Sequence, residues 1–153
     1  MQIRDITNYL ESWAPLSLQE SYDNSGLLIG EKSDEIHQAL ITLDVTEAVI
    51  DEAIETKSDF IIAHHPFIFN GIKKIGNSHW IDRCIRKAIQ HNINIYAIHT
   101  NLDHVNTGVN QKIAEKIGLS DLSILQPKRD TLSKLTVFVP KEHSQEVLEA
   151  LYA

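Results

Sequence analysis

Two short apolar runs, Phe60-Ile-Ile-Ala63 and Ile93-Asn-Ile-Tyr-Ala-Ile98, flank a stretch of helical period over residues 80–89 in which Ile81, Cys84, Ile85 and Ala88 share one face. A strand, a helix and a second strand in that order form a βαβ unit, because parallel strands can be joined only by a crossover. The same alternation begins earlier. Ala39-Leu-Ile-Thr-Leu43 reads as a central-strand candidate, and residues 47–56 follow as a helix capped by Thr46, with Val49, Ile50, Ala53 and Ile54 in one stripe. The expected fold class is therefore α/β, a mainly parallel sheet with helices on both faces. Gly26 and Gly30 bracket a short strand, Leu27-Leu-Ile29. Ile3, Ile6, Leu10 and Trp13 lie at helical spacing before Pro15, and Ser78 is placed to cap the helix that carries Cys84. A further helix opens at Thr107-Gly-Val-Asn, runs through Ile113, Ala114 and Ile117, and stops at Gly118.

Between Leu119 and Ser133 the apolar pattern is interrupted by turn-forming residues, which marks a boundary. Beyond it Lys134-Leu-Thr-Val-Phe-Val139 is strand-like, and Glu146 to Leu151 suggests a helix. We divide the chain at 125/126, with residues 126–153 as the start of a second α+β module that stops short.

Both strands of the central unit run directly into imidazoles. His64, His65 and Pro66 follow the first, and His99-Thr-Asn-Leu-Asp103-His104 follows the second. Ligands of open α/β sheets bind where strands end in loops, and neutral imidazole and carboxylate are ligands that several divalent metals share. Adjacent strand residues point to opposite faces, so His64 and His65 reach one ion only if the chain bends there, which Pro66 and the strand end make possible. They can instead serve two ions, or donate to a backbone carbonyl as a strand-end histidine does. Asp103 can bridge two cations, or it can close a turn ahead of Gly108. We expect no helix across His99 to Asp103, so helical spacing carries no argument for that pair. His99 is suited to general acid/base work, to lining the cavity or to orienting a ligand. His104 is the weaker candidate, and His37, His79, His91 and His143 have surface-like neighbours. Asp23-Asn-Ser-Gly26 reads at least as well as turn chemistry as it does as a site.

Other chemistries are excluded or unsupported. The glycines lack the spacing of a P-loop or a dinucleotide fold, and there is no nucleophile elbow for Ser-His-Asp catalysis. A net charge of −7 makes nucleic acid an unlikely partner. No membrane span is legible, and the single cysteine, read as a packing residue, agrees with a reducing, cytoplasmic location.

Three segments, Ser21-Tyr-Asp-Asn-Ser-Gly-Leu-Leu-Ile-Gly30, Ala63-His-His-Pro-Phe67 and His99-Thr-Asn-Leu-Asp103, resemble in order and spacing the signature of the Nif-three-like family, also known as the GTP cyclohydrolase 1 type 2 homologues. The resemblance spans roughly residues 1–120, and residues 134–153 look like the start of the domain that longer members insert. It implies two divalent metal ions (Zn, Fe, Mn, Ni or Mg), held here by His64, His65 and Asp103 with Asp103 as the bridge, and His99 lining the site. It also implies a homo-oligomeric ring such as a hexamer, and a hydrolase acting on a nucleotide or other phosphoester through metal-activated water. A metal-binding scaffold without turnover is the alternative. One departure stands out. Family members complete the site with a His-x-x-x-Glu pair near the C-terminus, and this sequence holds none.

Overall fold

The apolar runs form a four-stranded sheet of β1 (Gly26–Ile29), β2 (Ala39–Thr42), β3 (Phe60–Ala63) and β4 (Asn94–Ala97), in the order β1-β4-β3-β2. Strands β2, β3 and β4 are parallel, and β1 lies antiparallel to β4 with an irregularity between Leu27 and Ile29. The sequence is therefore that of an α/β fold with a mainly parallel sheet. The computed structural model describes residues 1–127 and 134–152, in two units, Met1–Ser123 and Ile124–Ala153.

The two-residue strand period sorts the side chains. Ile61, Ala63, Ile93 and Ile95 join one core, where Ile50 and Ala53 of α2 (Glu47–Thr56) and Cys84, Ile85 and Ala88 of α3 (Trp80–Gln90) cover them. Phe60, Tyr96 and Ile98 join the other, against Ile3, Ile6 and Leu10 of α1 (Ile3–Trp13). Helices thus lie on both faces. Fully burying one such isoleucine contributes about 1.5–3 kcal/mol.

Local signals set the ends of the elements. Thr46 caps α2 as expected, its hydroxyl accepting from the Val49 amide at 3.3 Å. α1 ends at Trp13, two residues before Pro15, because the residue preceding proline is disfavoured in helix. Gly118, at φ 79°, ends α5 (Val109–Ile117) in the left-handed region. No described helix is long and apolar enough to cross a membrane.

Three expectations need correction. Ala39–Thr42 is an edge strand rather than a central one: among the described residues it pairs with β3 alone, and Ile41 is 79% exposed. An apolar run signals burial but does not say on how many sides. Ser78 does not cap α3; His79 does, its Nδ1 accepting from the Ile81 amide at 3.4 Å. Lys134 to Val139 forms no ladder with any described strand, since a strand needs a pairing partner to form. In that unit α6 (Ser144–Tyr152) does form, and a cavity of about 580 Å³ lies between it and Leu135, Val137 and Val139. The part of the expected boundary over 128–133 lies outside the described residues.

Cys84 is fully buried, and burial pushes its thiol up to about 11. We therefore expect native protein to react with a thiol reagent only as fast as it unfolds, and denatured protein to react at once. Rapid titration of the native thiol would show that the α3 face opens.

Candidate metal centre

Strand register places the site. Thr42 pairs with Ala63, and Ala63 pairs with Ala97, so the C-terminal ends of three parallel strands are level. The residues that leave them, Leu43-Asp44, His64-His65 and Ile98-His99, are brought together as a result. The ladder runs one step further: the His64 amide donates to Thr42 O at 3.2 Å, His65 to Leu43 O at 2.9 Å and Ile98 to Ala63 O at 2.9 Å.

The required bend is present, and it falls on His64 and His65 themselves, before Pro66. The rings of His64 and His65 lie 4.8 Å apart, centroid to centroid, and His99 sits 5.3 Å from the first and 5.5 Å from the second. One ligand nitrogen of each of the three falls within 4.8 Å of the others.

Each ring is held from behind through Nδ1. His64 Nδ1 meets the Ile98 carbonyl at 2.8 Å, His65 Nδ1 meets Asp44 Oδ1 at 2.7 Å, and His99 Nδ1 meets Asp23 Oδ1 at 2.8 Å. A carbonyl or an ionised carboxylate only accepts, so Nδ1 must carry the proton in all three. In the neutral ring that leaves the Nε2 lone pair free. Metal-bound histidines are oriented by the same kind of partner behind the ring, so the donor set fits a divalent ion.

Asp103 joins them from the same turn of chain as His99, its Oδ1 4.0 Å from His64 Nε2. Here a further expectation is corrected. Thr100–Asp103 forms a single helical turn, α4, and the Asp103 amide donates to His99 O at 3.3 Å. His99 is the N-cap of that turn, with non-helical backbone at φ −113° and ψ −114°, and Asp103 is its last residue. A lone turn is too short to show periodicity in sequence. Buried Asn101 pins it: its Oδ1 accepts from the His99 amide at 3.0 Å and its Nδ2 donates to Ala14 O at 2.7 Å. His104 is engaged elsewhere, with Nδ1 2.7 Å from Leu18 O and Nε2 3.2 Å from Glu20 Oε1.

Sequence reasoning missed two residues. Asp44 was only the residue after a strand, and Asp23 was turn chemistry. In the structure the Asp23 side chain is fully covered. Its carboxylate accepts from the Thr100 amide at 3.1 Å, from Ser25 Oγ at 3.0 Å, and from the hydroxyl of Thr100, besides His99. Burial alone would raise this carboxyl. The hydrogen bonds from Thr100, His99, the Asn24 amide and Ser25 outweigh it and hold the group well below the usual carboxylate range. The only available signal was the sequence Asp-Asn-Ser-Gly itself.

The motif residues therefore converge on one end of one sheet, and comparison with known proteins agrees. The family model Duf34/NIF3 (NGG1p interacting factor 3) matches residues 1–152. The chain belongs to the Duf34/NIF3 family. It is 46% identical over 147 residues to the GTP cyclohydrolase 1 type 2 homolog of Halalkalibacterium halodurans, covering 95% of this chain and 40% of that one. For the Bacillus subtilis homolog of the same name the figures are 44% over 149 residues, 97% and 40%. The crystal structure of a Bacillus cereus protein related to NIF3 superposes with a TM-score of 0.78 at 39% identity, covering 99% of this chain and 42% of that one. This NIF3 chain thus spans about two fifths of the length of the curated relatives it matches.

Proposed function

We propose that this NIF3-family chain contributes a divalent-metal site to a hydrolase that acts on a nucleotide or other phosphoester. The observation that carries the reading is the convergence of His64, His65 and His99 with Asp103 beside them, each ring held through Nδ1 by an acceptor. The name GTP cyclohydrolase 1 type 2 homolog, borne by relatives, supports the substrate class.

In this reading His64, His65 and Asp103 hold the metal, and Asp44 fixes the His65 ring. Bound there, a divalent ion supplies Lewis acidity and lowers the pKa of water. His99, with Nδ1 committed to Asp23, offers Nε2 as the proton carrier. Three side chains leave one position of an ion's shell open to water, and a second ion would require donors beyond these.

Elemental analysis of the chain purified without added metal, beside Asp103→Ala and His99→Gln, tests this. We expect near-stoichiometric metal that Asp103→Ala loses, and a His99→Gln protein that keeps its metal but not metal-dependent phosphoester turnover. Equal metal content in wild type and Asp103→Ala would overturn the metal assignment. Loss of metal in His99→Gln would make His99 a ligand rather than a proton carrier. The family description as an interacting factor favours a second reading, a metal-stabilised scaffold. Metal binding without turnover on any phosphoester would favour it.

A further inference from the structure

Tyr22 and Phe69 come from different loops and meet beside the histidines. Their ring centroids are 6.3 Å apart at an interplanar angle of 41°, and the Phe69 ring stands edge-on to His99 at 6.4 Å and 80°. Both remain open, Tyr22 63% exposed and Phe69 42%. Scattered exposed aromatics are ordinary, but the segments that carry these two are tied in place. Asn24 Nδ2 donates to Ile68 O at 2.6 Å and ties the two loops together. Asp23, next to Tyr22, is bonded to His99 and Thr100. Phe67, two residues before Phe69, is buried in the core. The two loops are therefore held beside the site, and the rings they carry meet at a tilt rather than as a closed stack and stay open to solvent.

Resting on the metal-site reading above, the geometry points to an aromatic platform: Tyr22 and Phe69 stack a planar heteroaromatic ring of the substrate while its phosphoester lies toward the histidines. Every base presents a π-face, so such stacking favours ring-bearing esters without reading hydrogen-bond edges. Between the two substrate classes the site can serve, a nucleotide and a plain phosphoester, the platform selects the nucleotide.

The test compares two probes that differ only in the base, guanosine 5′-monophosphate and ribose 5-phosphate, titrated calorimetrically into the full chain with Mn²⁺ and again after chelation. We expect the nucleotide to bind about tenfold more tightly, the ring contributing in both conditions. Tyr22→Leu and Phe69→Leu should each bring the ratio toward one, and Tyr22→Phe and Phe69→Tyr should keep it. A ratio of one in the wild type overturns the platform, as do undetectable nucleotide binding and leucine variants with an unchanged ratio. Leucine variants that change the oligomeric state but not the ratio would assign the rings to contact between copies, which also overturns it. Absence of turnover defeats the hydrolase reading alone and leaves this ratio standing.

Discussion

Asp23→Ala is expected to lower stability to urea by about 3 kcal/mol and to lower metal-dependent phosphoester turnover by about 10–100-fold while the metal stays bound. The first figure follows from leaving donors without an acceptor. The Thr100 amide and hydroxyl, His99 Nδ1 and Ser25 Oγ all converge on this carboxylate, and hydrogen bonds to a charged group contribute about 1.5–3 kcal/mol each. Relief of the carboxylate's own burial cost offsets part of that sum. The second figure follows from the loss of the group that sets the His99 tautomer and ring angle. Asp23→Asn keeps the volume and one acceptor oxygen, so it should recover more than half of the stability and less of the turnover. If Asp23→Ala matched wild type in both measurements, Asp23 would be a turn residue and nothing more.

Asp23 also shows what the sequence left illegible. The βαβ order, the Thr46 cap and the strand-end histidines were readable because each depends on neighbours within a few residues. The site's supporting contacts do not. His99 to Asp23 spans 76 residues and His65 to Asp44 spans 21, and both depend on which strands are adjacent and in what register. The same limit applies to β1, whose antiparallel pairing with β4 is set by packing, and to β2, whose composition could not say that it forms an edge. The α4 turn failed for a different reason. Four residues cannot display a 3.6-residue period, so the helical turn that starts after His99 and ends at Asp103 emerged only from the backbone.

Gly30→Ala should lose stability to the same extent, about 3 kcal/mol, with turnover and metal affinity both unchanged. Gly30 has φ 113°, which side chains rarely tolerate, and an added Cβ would stand 1.9 Å from Asn94 Oδ1 and 2.7 Å from its Cγ. Asn94 has little room to yield. It is 8% exposed, its Nδ2 donates to Asp59 O at 3.1 Å, and its amide donates to the same oxygen at 2.9 Å. Asp59 in turn accepts from the His37 and Gln38 amides at 3.0 and 3.1 Å, so the strain reaches the starts of β2, β3 and β4 together. Burial would raise the Asp59 carboxyl, but the His37 and Gln38 hydrogen bonds prevail and hold it below its ordinary value of 3.8. A lowered folded-state pKa gives stability that is present above the ordinary value and is lost as pH falls through the folded one. Loosening these bonds therefore moves the acid-unfolding midpoint to higher pH. The histidines follow the other ends of the same strands, which is why metal affinity should survive. If Zn²⁺ affinity fell along with stability, the two ends of the sheet would not be independent, and the site's geometry would depend on the whole sheet rather than on the register of its last residues.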